Sequence, residues 1–122
     1  MIEILKASAG SGKTWNLARY YIRLMLEKDD PFSYRHILAV TFTNKATDEM
    51  KDRILKELHK LSVEPLNSDY YGDFVPSLYP DAASLAKASG TLLCNILHDY
   101  SAFAVSTIDR FFQQTLRAFA RE

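Results

Sequence analysis

A chain of 122 residues and 13.9 kDa has room for one domain, and 48% hydrophobic with 12% aromatic residues can build a core, which excludes wholesale disorder. Fifteen Lys/Arg balance fifteen Asp/Glu, so attachment to nucleic acid by bulk positive charge is excluded, although local basic sites are not. No apolar run approaches the ~20 residues of a membrane span, the N-terminus lacks a signal-peptide layout, and a single cysteine, Cys94, cannot form an internal disulfide. The expectation is a soluble, cytoplasmic protein with no membrane partner and with Cys94 buried in an apolar stretch.

The neutral total hides an asymmetry. Residues 1–61 carry eleven basic and eight acidic side chains, and residues 62–122 carry four and seven. Solvated surface is its ordinary explanation.

Met1–Ala7 is short, apolar and weakly alternating, as in a strand. Glycines at 10 and 12 break it, and a helix follows over Lys13–Lys28 with Leu17, Ala18, Tyr21, Ile22 and Met25 on one face. Asp29-Asp30-Pro31 ends that helix. His36–Phe42 is a nearly continuous apolar run, the pattern of a parallel strand covered on both faces. Thr43 or Asn44 can cap the next helix, whose inward stripe is Ala46, Met50, Ile54, Leu58 and Leu61. On its outer side Glu49–Arg53 and Asp52–Lys56 have favourable i,i+4 spacing.

Pro65–Pro80 holds three of the four prolines and one of the four glycines, so it reads as a loop or a loosely ordered insertion. Asp81 starts a further helix with Leu85, Ala86, Leu92, Leu93, Ile96 and Leu97 on one side, and Gly90 invites a kink within it. Ala102–Ile108 reads as a third buried strand. The chain closes with a helix over Asp109–Arg121 whose inward set is Phe112, Leu116, Phe119 and Ala120. Strands alternating with helices predict an α/β fold, a parallel sheet of about three strands with helices on its faces.

The strongest motif is Ala7-Ser8-Ala9-Gly10-Ser11-Gly12-Lys13-Thr14, which matches G-x-x-x-x-G-K-[ST] except that alanine replaces the first glycine. It stands between a predicted strand and a predicted helix, the context a phosphate-binding loop requires. Gly10 and Gly12 let the backbone approach a phosphate closely, and N–H groups from Ala9 through Ser11 to Thr14 can form an anion nest. Lys13 would reach the β- and γ-phosphates of ATP, and the Thr14 hydroxyl would ligate Mg²⁺. Trp15 either packs in the core or lines an adenine pocket. His36, His59 and His98 share no metal-ligand spacing, and Cys94 with His98 is an isolated pair.

Together with that loop, Ala39-Val40-Thr41-Phe42-Thr43-Asn44-Lys45-Ala46-Thr47-Asp48-Glu49-Met50 closely resembles motifs I and Ia of UvrD/Rep-type superfamily 1 DNA helicases. Val105-Ser106-Thr107-Ile108-Asp109-Arg110-Phe111-Phe112 resembles the motif that follows. The acidic Asp109, where many members have histidine, looks more like the RecB/AddA helicase–nuclease branch. The resemblance implies a RecA-like P-loop NTPase fold in three α/β/α layers. It also implies that residues 1–122 are the N-terminal part of an ATP-binding motor domain, with an insertion at about 63–100. It places Phe42, Thr43, Asn44 and Thr107 on a single-stranded DNA track. Core packing is the alternative for Phe42, helix capping is compatible with DNA contact at Thr43 and Asn44, and Asp109 is expected to cap the last helix.

No acidic D-E-x-x strand occurs in the sequence to position the attacking water, nor is the adenine-reading glutamine motif recognisable. The expectation is therefore a segment of a longer helicase, a DNA repair or recombination enzyme. Its partners would be single-stranded or duplex DNA and the remaining helicase chain, including a second motor domain and, in the RecB-like branch, a nuclease domain. Taken alone, the segment is expected to lack turnover and, through an unpaired sheet edge, to self-associate. A small P-loop phosphotransferase and a non-catalytic nucleotide-binding module are the alternatives.

Overall fold

The computed structural model describes residues 3–7, 11–28 and 30–120. Three strands, β1 (Glu3–Ala7), β2 (Ile37–Thr41) and β3 (Val105–Thr107), form one parallel sheet in the order β1-β2-β3. Glu3 pairs with Ile37 and Ala7 with Thr41, while Ala39 pairs with Val105 and Thr41 with Thr107. Parallel pairing demands crossovers. Helix α1 (Ser11–Glu27) makes the first; α2 (Asn44–Val63), the short α3 (Tyr71–Phe74) and α4 (Ala82–His98) lie on the second. Helix α5 (Ile108–Ala120) follows β3 directly. The α/β order expected from sequence is observed.

The core grows from the helical spacing of α1. Ala18, Tyr21, Ile22 and Met25 are fully buried, against β2, where Ile37, Ala39, Val40 and Thr41 are buried and Leu38 partly so. The Tyr21 hydroxyl donates to the Ile37 carbonyl at 3.3 Å, and its ring meets Phe103 edge-on at 5.8 Å. Past the end of α1, the buried Ser33 hydroxyl donates to the Met25 carbonyl at 2.8 Å and satisfies a last-turn acceptor.

Helices α2 and α4 form the second half of the core. Met50, Ile54, Leu58 and Leu61 meet Leu85, Leu92 and Ile96, all buried. Helix α4 passes through Gly90 without a break, because the glycine lies where the two helices come close: a Cβ there would stand 3.5 Å from the Ser62 Cβ. The buried stripe of α4 is narrower than its apolar composition suggests. Leu97 is 58% exposed and Cys94 is also exposed; Leu97 lines an open depression with Leu55, His59 and Val63 of α2, at the rim of the helix pair and outside the closed core. On α2, Lys56 pairs with Asp52 at 2.8 Å, whereas Arg53 turns to the Tyr70 hydroxyl.

The Pro65–Pro80 stretch is not loosely ordered. Tyr70 and Phe74 are fully buried, and the Tyr70 hydroxyl donates to the Trp15 carbonyl at 2.8 Å. Tyr79 donates to the Leu26 carbonyl at 3.0 Å, and Ser68 donates to the buried Glu57 carboxylate at 3.1 Å. Aromatic burial outweighs the proline and glycine signals. Trp15, partly buried, packs edge-on against Tyr70 at 4.9 Å, at the border of the core.

Helix α5 departs most from expectation. Its apolar stripe has helical spacing, yet no residue of α5 is buried, and Phe112, Leu116 and Phe119 are 57%, 65% and 71% exposed. No described element lies over that side. Among the described residues, no helix is long and apolar enough to cross a membrane.

Candidate nucleic-acid interface

Two strand ends and two helix starts create the site. β2 runs out at Thr41, and the next residue, Phe42, stands 63% exposed. Its ring is thus excluded from the core. Thr43 adopts an extended backbone and its hydroxyl accepts from the Ala46 N–H at 3.0 Å, capping α2, with Asn44 as the first helical residue. Beneath them the Thr41 and Thr47 hydroxyls are hydrogen-bonded to each other, and Thr47 donates to the Thr43 carbonyl at 3.2 Å. This small network fixes the β2–α2 turn.

The neighbouring turn repeats the device. Thr107 ends β3, and its hydroxyl accepts from the Arg110 N–H at 3.2 Å. The cap of α5 is therefore Thr107 and not Asp109, which lies inside the first turn because the helix already starts at Ile108. Phe42, Thr43, Asn44 and Thr107, expected together from the sequence, do line one groove of about 540 Å³. It opens at the carboxyl ends of β2 and β3, where open α/β sheets place their ligands.

The opposite wall of that groove was not expected. Arg110, Gln113, Gln114 and Arg117 line it from α5, with Asp109 the one acid among its described residues. Their spacing, i, i+3, i+4 and i+7, is the sequence signal: a polar stripe on a helix whose other face is apolar. Neither arginine has a carboxylate partner among the described residues, whereas Arg19 pairs with Asp73, Arg23 with Glu27 and Arg35 with Asp99. A separate cavity of about 290 Å³, lined by Met25, Pro31, Ala88 and Leu92 together with Lys28 and Lys87, contains none of the expected site residues.

Ala9 and Gly10 of the phosphate-loop motif lie outside the described residues. Ser11, Gly12, Lys13 and Thr14 are described as the backbone of the first turn of α1, and their side chains lie outside what is described. The order β1, short connection, α1 is the frame in which such a motif works. The first turn of α1 contains no acidic residue that would oppose a phosphate. No group of three or more His, Cys, Asp or Glu able to hold a metal occurs among the described residues. His98 Nδ1 is instead 2.7 Å from the Cys94 carbonyl, a contact within one helix.

A parallel α/β architecture with a polar groove at its strand ends defines the class of protein. Within that class, the chain belongs to the UvrD/REP helicase N-terminal domain family, whose model matches residues 3–122. It is 32% identical over 126 residues to RecBCD enzyme subunit RecB of Escherichia coli strain K12, a match covering 98% of this chain and 11% of that relative. It is 43% identical over 65 residues to an ATP-dependent helicase/nuclease subunit of Natranaerobius thermophilus, covering 52% of this chain and 5% of the relative. RecB of Haemophilus influenzae is 39% identical over 62 residues, covering 47% and 5%. The expected likeness to the RecB/AddA branch holds. The chain spans about a tenth or less of the length of these relatives.

Proposed function

We propose that this chain is the ATP-binding segment of the first motor domain of a cytoplasmic, RecB/AddA-like DNA helicase acting in repair or recombination. Its fold is then the beginning of a RecA-like three-layer α/β/α unit, with residues 63–100 as an insertion. The observation that carries the proposal is the pairing of a phosphate-loop sequence between β1 and α1 with a polar groove at the ends of β2 and β3, in a chain of this family.

On this reading Lys13 neutralises the β- and γ-phosphates, the N–H groups from Ala9 to Thr14 cradle them, and the Thr14 hydroxyl holds Mg²⁺. Mg·ATP held by these residues would, on hydrolysis in the longer protein, supply the free energy for movement along DNA. Phe42 offers a base an aromatic face, worth ~1–3 kcal/mol in stacking platforms, and Thr43, Asn44 and Thr107 hold the adjacent backbone. In the longer protein the DNA and the rest of the helicase chain are the partners, a second motor domain and a nuclease domain among them.

The test is calorimetric titration of the purified chain with a non-hydrolysable ATP analogue and Mg²⁺. Lys13→Ala is expected to lose nucleotide affinity by at least tenfold with an unchanged circular dichroism spectrum. Equal affinity in the variant overturns the assignment. Since no carboxylate candidate for water activation occurs in the sequence, steady-state phosphate release by the chain alone is expected at background. DNA-stimulated turnover by it would contradict this proposal.

A further inference from the structure

The groove at the ends of β2 and β3 has two walls, and the proposed function uses one. The α5 wall presents Arg110 and Arg117 one polar stripe apart, about 10 Å along the helix axis at 1.5 Å per residue, with Gln113 and Gln114 between them. Arginines elsewhere among the described residues are engaged: three in ion pairs, and Arg53 with the Tyr70 hydroxyl. The two with neither an ion pair nor a side-chain hydrogen bond among the described residues, Arg110 and Arg117, both line this groove. Arg110 and Gln114 also line an adjoining depression of about 260 Å³, where the Lys51 ammonium stands 5.1 Å from the centre of the Tyr100 ring. The positive wall thus continues away from Phe42 toward Lys51.

An unpaired guanidinium presents a planar fork of donors that matches phosphate oxygens, and carboxamides hydrogen-bond backbone oxygens without regard to base. Asp109, the single acid of the groove among the described residues, is outnumbered by these cations. We infer that the polar stripe of α5, Arg110, Gln113, Gln114 and Arg117, is a phosphate-holding wall that grips the DNA single strand from the side opposite Thr43 and Asn44. This rests on the proposal that the groove carries single-stranded DNA, and it adds the residues that supply its charge.

The experiment measures binding of a fluorescent 20-nucleotide oligothymidylate to the full chain over a series of salt concentrations. The variants are Arg110→Gln/Arg117→Gln, Arg110→Lys/Arg117→Lys, Thr43→Ala/Asn44→Ala, and a charge-matched control, Lys28→Gln/Lys87→Gln, at the separate cavity. All four α5 side chains are exposed, so the α5 variants are expected to keep the wild-type melting curve, while Thr43→Ala/Asn44→Ala, which removes the α2 cap, is expected to melt somewhat lower and is titrated well below its transition. Loss of two phosphate contacts should lower the slope of log affinity against log salt by about 1.4, at ~0.7 per contact on a single strand. The lysine pair should restore most of that slope. An unchanged slope in the glutamine pair, with binding weakened by Thr43→Ala/Asn44→Ala, overturns the α5 wall and leaves the groove's function standing. An equal loss in the Lys28/Lys87 control reduces the effect to bulk charge and also overturns it. No binding by the wild-type chain at low salt overturns both readings.

Discussion

Phe42 and Tyr70 show how little residue type decides and how much position does. Both are aromatic, but Phe42 leaves β2 at the sheet's carboxyl end and stays exposed, while Tyr70 is fully buried with its hydroxyl on the Trp15 carbonyl. Phe42→Ala is therefore expected to change stability by less than ~0.5 kcal/mol, as exposed substitutions do, while weakening oligothymidylate binding severalfold. Fluorescence anisotropy and thermal melts on the same preparation separate the two effects. Tyr70→Phe removes the hydroxyl that donates to the part-buried Trp15 carbonyl and should cost about 1 kcal/mol. Denaturant midpoints at constant slope would establish it, and a neutral result would mean that ring packing alone fixes the 65–80 segment.

Among the elements, α4 offers the cleanest test of backbone against packing. Gly90 lies mid-helix, and its substitution by alanine would bring a methyl to 3.5 Å from the Ser62 Cβ, an ordinary contact. Gly90→Ala should therefore stabilise the chain by ~0.5–1 kcal/mol through helix propensity. Destabilisation would show that the α2–α4 interface is tighter than its geometry. Order and type of the long elements were legible because their apolar residues recur at 3.6 in α1 and α2 and run unbroken in β2. What was not legible has a common cause: periodicity reports an apolar face but not whether anything covers it. Phe112, Leu116 and Phe119 have core spacing and face outward, and Leu97 is left exposed at the rim of the α2–α4 pair. In the opposite sense, Pro65–Pro80 carries breaker residues, yet Tyr70 and Phe74 anchor it. At the groove, Thr43 and Thr107 were legible as motif residues, while Arg110 and Arg117 were hidden in a helix read for its apolar side.

For the whole molecule, the charge arrangement predicts a two-sided pH profile. The Arg35 guanidinium, hydrogen-bonded to Asp99 at 2.8 Å, holds that carboxyl below its ordinary 3.8, and the Ser84 N–H does the same for Asp81. A depressed carboxyl stabilises the fold above its unfolded pKa, and that contribution disappears as pH falls through the lower folded value. Burial pushes the Tyr21 phenol well above its ordinary 10.0 and Tyr70 to about 12. Raised phenols stabilise fully below pH 10 and lose that contribution as pH rises toward 12. Denaturant unfolding across pH should thus show a plateau with falling limbs below about 4 and above about 10. Asp99→Asn should flatten the acid limb; an unaltered limb would assign it to other carboxylates. The bare face of α5 and the edge position of β3 also make self-association the expected behaviour of the isolated chain. Light scattering that finds a monomer at all concentrations would contradict it.

The packing of Trp15 has an optical consequence. It is the sole tryptophan, it directly follows Thr14, and its ring rests 4.9 Å from that of Tyr70. Excitation at the red edge of protein absorbance therefore interrogates one place: the seam between the phosphate-loop helix and the aromatic anchor of the 65–80 segment. The emission should be shifted to shorter wavelength than that of a solvated indole, and should move back as this seam opens. Nucleotide settling on the preceding residues would be expected to perturb the same signal, so the unlabelled protein carries its own gauge for both occupancy and loosening of that corner.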